Sequence, residues 1–156
     1  KSAERYSDLG RVLEKLGRPE EAISAQSSAV ELAPENPYYW HNQAYIYASL
    51  GQYGEAEKAL TKALELNPQE IAHKANLGNA QYKLGKYEEA ENTFTQVVET
   101  DPRYAEVHYQ LALTREKLEK PNEAKASLQQ ALEKADPEQD KELIEKIRQK
   151  MSEHSE

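Results

Sequence analysis

Residues 71–104 read IAHKANLGNAQYKLGKYEEAENTFTQVVETDPRY, and the parsing of this stretch decides the fold. Leu77, Ala80 and Leu84 recur at helical spacing. Gly85 follows them, and glycine takes the left-handed conformation that closes a helix at least cost. A second stripe runs through Tyr87, Ala90, Phe94, Val97 and Val98, and Asp101-Pro102 stops it. The spacing predicts two amphipathic helices joined by a tight turn.

The same unit extends in both directions. Ala22, Ala56, Ala90 and Ala124 are 34 residues apart, and so are Leu16, Leu50, Leu84 and Leu118. Gly17, Gly51 and Gly85 keep the interval, with Glu119 in the fourth place. Pro34, Pro68 and Pro102 keep it too, and Pro137 comes one residue late. Independent tracks at one period mark a repeat protein.

This pattern resembles the tetratricopeptide repeat family, whose signature is W-x2-L-G-x2-Y…A-x3-F…P. The unit at 71–104 supplies Leu77, Gly78, Ala90, Phe94 and Pro102. The preceding unit supplies Trp40, Tyr47, Ala56, Leu60 and Pro68, with Gln43-Ala44 in place of Leu-Gly. The first has Tyr6 for Trp, then Leu9, Gly10, Ala22, Ala29 and Pro34. The fourth diverges most, with His108, Leu111, Ala112, Ala124, Leu128 and Ala131. The resemblance implies an all-α fold, an α-α superhelix of four helix-turn-helix repeats at residues 3–36, 37–70, 71–104 and 105–138. Residues 139–153 carry Leu143, Ile144, Ile147 and Met151 on one helical face. They are expected to form a C-terminal capping helix with a polar outer side. At the front, Ala3, Val12 and Leu13 are expected to face an upstream repeat. The chain opens on Lys1, and so reads as an excised domain or a processed product.

Composition narrows the function. Apolar residues make up 38% and charged residues 31%, with a net charge of −8. No Lys/Arg cluster offers the basic face that phosphate binding needs, so nucleic acid is not the expected partner. No apolar run is long enough to span a bilayer. Cysteine is absent, which removes disulfides and thiolate chemistry but does not fix the compartment, for which a cytoplasmic setting is the favoured expectation. The histidines, His41, His73, His108 and His154, show no metal-binding spacing, and no glycine loop cradles phosphate. Glu20-Glu21 and Glu88-Glu89 open second helices, where negative charge suits the helix dipole. Catalysis, cofactors and metals are therefore not expected.

Residues 37–53, PYYWHNQAYIYASLGQY, concentrate the aromatics. The resemblance puts the first helix of each unit on a concave face. Counting from residues 3, 37, 71 and 105, positions 4, 7, 8, 11 and 14 of that helix turn inward. Positions 2, 5, 6, 9, 12 and 13 turn to the concave side. Trp40, Tyr47 and Tyr53 are then scaffold. Tyr38, His41, Asn42 and Tyr45 face the groove with Asn76, Asn79, Tyr82, Tyr109 and Gln110, and Ser7, Asp8, Arg11 and Lys15 extend it. Position 6 reads Asp8, Asn42, Asn76, Gln110, a row able to bond along a peptide backbone. The row also belongs to the family's own background, but exposed tyrosines need a further reason. The expected function is a non-catalytic adaptor that binds a partner's peptide segment in the concave groove. The alternatives are a self-assembly module, a homo-oligomer paired through the N-terminal face or convex surface, and the targeting domain of a larger protein. The two-carboxylate clamp of chaperone adaptors does not fit. Its positions fall on Ser7, Arg11, Asn42, Ala72 and Asn76, or on His41, Tyr45, Asn76, Glu106 and Gln110, and only the central Asn agrees.

Overall fold

The computed structural model describes residues 2–153. Among the described residues all regular structure is helical: α1 (Ala3–Lys15), α2 (Pro19–Leu32), α3 (Pro37–Ser49), α4 (Tyr53–Leu66), α5 (Ile71–Lys83), α6 (Tyr87–Thr100), α7 (Ala105–Lys117), α8 (Pro121–Lys134) and α9 (Lys141–Glu153). The chain divides into two compact units, Lys1–Leu84 with α1–α5 and Gly85–Glu156 with α6–α9.

Local chemistry sets the helix ends. Ser2 caps α1 by accepting the amide of Arg5, and Asn36 caps α3 by accepting that of Tyr38, satisfying otherwise orphaned donors. Pro19, Pro37 and Pro121 open their helices, where the missing N–H is not needed. At the end of α1, Gly17 donates to the Glu14 carbonyl and Arg18 to that of Leu13, the paired bonds of a Schellman turn. Gly51 and Gln52 repeat the arrangement on Ala48 and Tyr47, and Glu119 and Lys120 on Glu116 and Arg115. The turn needs a positive φ, which is +70°, +71° and +76° at Gly17, Gly51 and Gly85. Glu119 adopts φ 57° without glycine's freedom.

In the first unit α1 packs on α2, α3 on α4, and α5 on α4. Leu13, Ala22, Ala25 and Ile46 form one buried cluster, with Ile23 against it. Ala44, Ala56, Ala59, Leu60 and Ala80 form another, ringed by Trp40, Tyr47, Ala48 and Leu77. Small alanines bring the helix backbones close, and larger side chains close the margins. Trp40 and Tyr47 are half-buried scaffold residues, and the Trp40 indole N–H donates to the Pro34 carbonyl at 2.7 Å.

Several faces differ from the periodic expectation. Ile46 is 1% exposed, because it inserts between α3 and the Leu13 side of the first helix pair. Leu13 therefore does not belong to the open N-terminal face. That face carries Leu9, Val12 and Leu16, at 47%, 53% and 64% exposure. Helical phase turns Leu9 and Leu16 inward. Of the inward positions of α1, Gly10 and Leu13 are the ones buried with Ser7, and a Cβ on Gly10 would meet the Ala22 carbonyl oxygen at 3.2 Å.

In the second unit Ala112, Leu128, Ala131 and Ile147 form the buried cluster, with Tyr109, Leu132, Leu143 and Met151 against it. The helix α9 thus packs its apolar stripe on α7 and α8. Lys150 of α9 pairs with Glu116 of α7 at 3.2 Å. A polar network joins α6 to α7 and α8. Glu91 accepts from Arg115 at 3.1 Å and Lys120 at 2.6 Å, and Arg115 donates to Ser127 at 2.7 Å.

Candidate functional site: the cleft between α1 and α3

The exposed aromatics of the first unit lie on α3. Tyr38 is 48% exposed and Tyr45 59%, two helical turns apart on one face. Between them the wall of a cleft of about 250 Å³ is formed by His41, Asn42 and Ile46 of α3 with Arg11, Glu14 and Lys15 of α1. Arg11 sits within 3.5 Å of the Tyr38 hydroxyl and 3.9 Å of the Asp8 carboxylate. Both partners are exposed and both distances long, so the guanidinium is loosely held.

The row of polar residues at position 6 is not uniform. Asn42 donates to the Ser7 hydroxyl at 3.0 Å. Ser7 itself is buried at 2%, so it is a support for Asn42 and not part of the groove surface. Asp8 pairs with Arg11, and Gln110 donates to Glu106 of its own helix at 2.9 Å. On α5, Asn76 and Tyr82 are half-buried and Asn79 is exposed. Tyr109 lies in the second unit, packed against the cluster under α9, where burial raises its pKa against the opposing pull of Lys150 and Lys146.

The histidines behave differently from their spacing. His154 lies outside the described residues. His108 is buried at 7% and holds the Pro102 carbonyl at 3.0 Å through Nε2, the position Trp40 has on Pro34. The spacing of His41 and His73 does not converge them, yet their rings stack at 4.6 Å between centroids with a 30° tilt. Position 5 of one first helix has met position 3 of the next. The Nδ1 atom of each ring is buried and finds no protein partner. Burial lowers the pKa of both rings. The charge of His73 lowers that of His41 further, and Glu70 opposes the shift on both. His73 is not among the expected site residues. The one signal in the sequence is its distance of 32 residues from His41, close to the period.

Tetratricopeptide repeat models match residues 7–71, 47–113 and 105–135. The chain belongs to the tetratricopeptide repeat family. No curated protein sequence matches this tetratricopeptide repeat chain at a significant level. Among solved structures, MamA 41-end from Desulfovibrio magneticus RS-1 superposes with a TM-score of 0.83 at 23% identity, covering 98% of this chain and 87% of its own. At that identity the likeness speaks for the fold. TTC0263, a thermophilic tetratricopeptide repeat protein of Thermus thermophilus, matches with a TM-score of 0.73 at 25% identity, over 98% of this chain and 81% of its own. The first tetratricopeptide repeat domain of Spaghetti (RPAP3), solved bound to the HSP90 peptide SRMEEVD, matches with a TM-score of 0.72 at 27% identity. It covers 76% of this chain and 94% of its own. No helix among the described residues is long and apolar enough to cross a membrane.

Proposed function

We propose that this chain is an adaptor whose α1–α3 cleft binds a peptide segment of a protein partner. The tetratricopeptide repeat is a protein-interaction scaffold and generally non-catalytic, and a similar domain has been solved with a peptide bound. The observation that carries the reading is the exposure of Tyr38 and Tyr45 on one face of α3 beside an open cleft. Tyrosine supplies contact area at low entropic cost, and a cleft this small suits side chains of a longer ligand more than an enclosed small molecule. Asn42, held by Ser7, presents its carbonyl oxygen as an acceptor, and Asn76 and Asn79 extend the polar surface along α5. Neutral hydrogen bonds contribute about 0.5–1.5 kcal/mol each, so the tyrosines supply most of the affinity.

The test is capture of partners from the native lysate with the parent chain and with Tyr38→Ala/Tyr45→Ala. Loss of the captured proteins at unchanged helicity supports the cleft. Unchanged recovery removes it.

A second reading rests on Leu9 and Val12 of α1 and its C-cap Leu16, an exposed apolar stripe. Copies pairing through this face would give a mass that rises with concentration in light scattering, and Leu16→Glu would abolish the rise.

A further inference from the structure

The stacked histidines adjoin the cleft, and the peptide-binding reading leaves them unused. We propose that the His41–His73 pair makes the cleft proton-sensitive, so that it takes an acidic peptide segment more tightly as the pair takes up a proton. This rests on the cleft being a peptide site.

Two observations select the partner's chemistry. The cleft wall carries the cations Arg11 and Lys15 and the carboxylate Glu14, with Asp8 3.9 Å from Arg11 at its edge, in a chain that is acidic overall. His41 is on the same wall, so a proton placed on it adds a third positive charge facing the ligand. Carboxylates of a bound peptide stabilise that charge, and a carboxylate-free peptide does not.

The surroundings explain why the pair stays neutral until then. Each buried Nδ1 lacks a protein partner, and a second cation is disfavoured against a ring 4.6 Å away. From α1, the charged groups on the cleft wall are Arg11, Lys15 and Glu14, with Asp8 beside Arg11. From α5 come His73 and, at its N-cap, Glu70, whose charge acts on both rings. On α3 itself the neighbours one turn away are Tyr38 and Tyr45. The helices α2 and α4 turn apolar residues to this unit's clusters, with Ala22 and Ala25 from the first and Ala56, Ala59 and Leu60 from the second. Carboxylates delivered by a ligand therefore change the balance at His41, and linkage requires that binding then draws in a proton.

The experiment is fluorescence anisotropy of a labelled glutamate-rich decapeptide and its glutamine counterpart on the full chain, from about pH 7.5 to about pH 5.5, where peptide carboxylates stay ionised. Affinity for the glutamate peptide should rise about tenfold for each unit by which binding raises the pair's titration, with the glutamine peptide changing less than about twofold. His73→Gln, which removes the neighbouring ring, should move the rise to higher pH, and His41→Gln/His73→Gln should flatten it. As a readout independent of the variants, proton NMR of the two rings should show their titration moving up when the glutamate peptide binds. Glutamate-peptide binding that is independent of pH, or a rise that survives in the double variant, overturns the inference and leaves the cleft as a peptide site. Absence of binding by either peptide, at any pH, overturns the cleft reading and this inference with it.

Discussion

The indole N–H of Trp40 donates to the carbonyl of Pro34 at 2.7 Å, and two repeats later His108 holds the carbonyl of Pro102 at 3.0 Å. The same backbone oxygen, left over where the preceding helix ends, is satisfied by a ring nitrogen from position 4 in both. This explains why a histidine can stand for the tryptophan of the repeat signature without being a ligand. Trp40→Phe keeps most of the apolar contact and removes the donor. It should cost about 1–2 kcal/mol, read as a lower urea midpoint by circular dichroism.

Glu119 occupies the turn position that glycine holds after α1, α3 and α5, with φ 57°. A left-handed residue other than glycine costs about 1–2 kcal/mol, part of which glycine's larger unfolded-state entropy offsets. Glu119→Gly should therefore stabilise the chain by about 0.5–1 kcal/mol, seen as a higher melting temperature. A neutral or destabilising result would mean that the Glu119 side chain contributes through contacts of its own.

Glu91 joins three elements of the second unit. Burial alone would raise its pKa, but hydrogen bonds from Lys120 and Arg115, and their charges, outweigh this and lower it. Side-chain exposures of 16% for Glu91 and 21% for Arg115 shield the pair from salt. Glu91→Gln should cost about 1–3 kcal/mol, with little change between low and high salt in a denaturation series. Glu21, exposed in its pair with Arg18, should show a much smaller effect that salt erases.

Stability should fall on mild acidification. His41, His73 and His108 all titrate below the ordinary 6.5, chiefly because burial disfavours the imidazolium. The unfolded chain takes up protons first, so the stabilisation is complete above 6.5 and is lost as pH falls through the lower folded values. Carboxylates act in a different window. Asp101, held at about 2 by hydrogen bonds from Arg103, loses its contribution only as pH falls from its ordinary 3.8 toward 2. Urea midpoints should therefore drop between about pH 7 and about pH 5, and His108→Gln should reduce the drop.

Ile147 is fully buried where α9 meets α7 and α8, beside Tyr109. Ile147→Ala should cost about 2–4 kcal/mol by leaving a cavity. It should also bring the Tyr109 hydroxyl back toward ordinary titration, measured by ultraviolet absorbance, as water reaches the ring.

Much of this is legible in residue order. A period of 34 with glycine after the first stripe and proline after the second carries the helix ends, because caps and turns depend on residues within a few positions of one another. Helical phase alone separates Tyr38 and Tyr45 from Trp40 and Tyr47. Phase fails where a neighbouring helix decides the outcome. It puts Ser7 on the surface, and Ser7 is buried beneath Asn42. It puts Leu9 and Leu16 inside, and both are exposed.

The sequence by itself determined the helices, their ends, the repeat and its family, since each follows from local periodicity. Only the tertiary structure decided that His41 stacks on His73, that Asn42 rests on Ser7, and that Tyr109 packs beneath α9. Those contacts depend on how one helix is placed and rotated against another, and that is set by the packing of many side chains together.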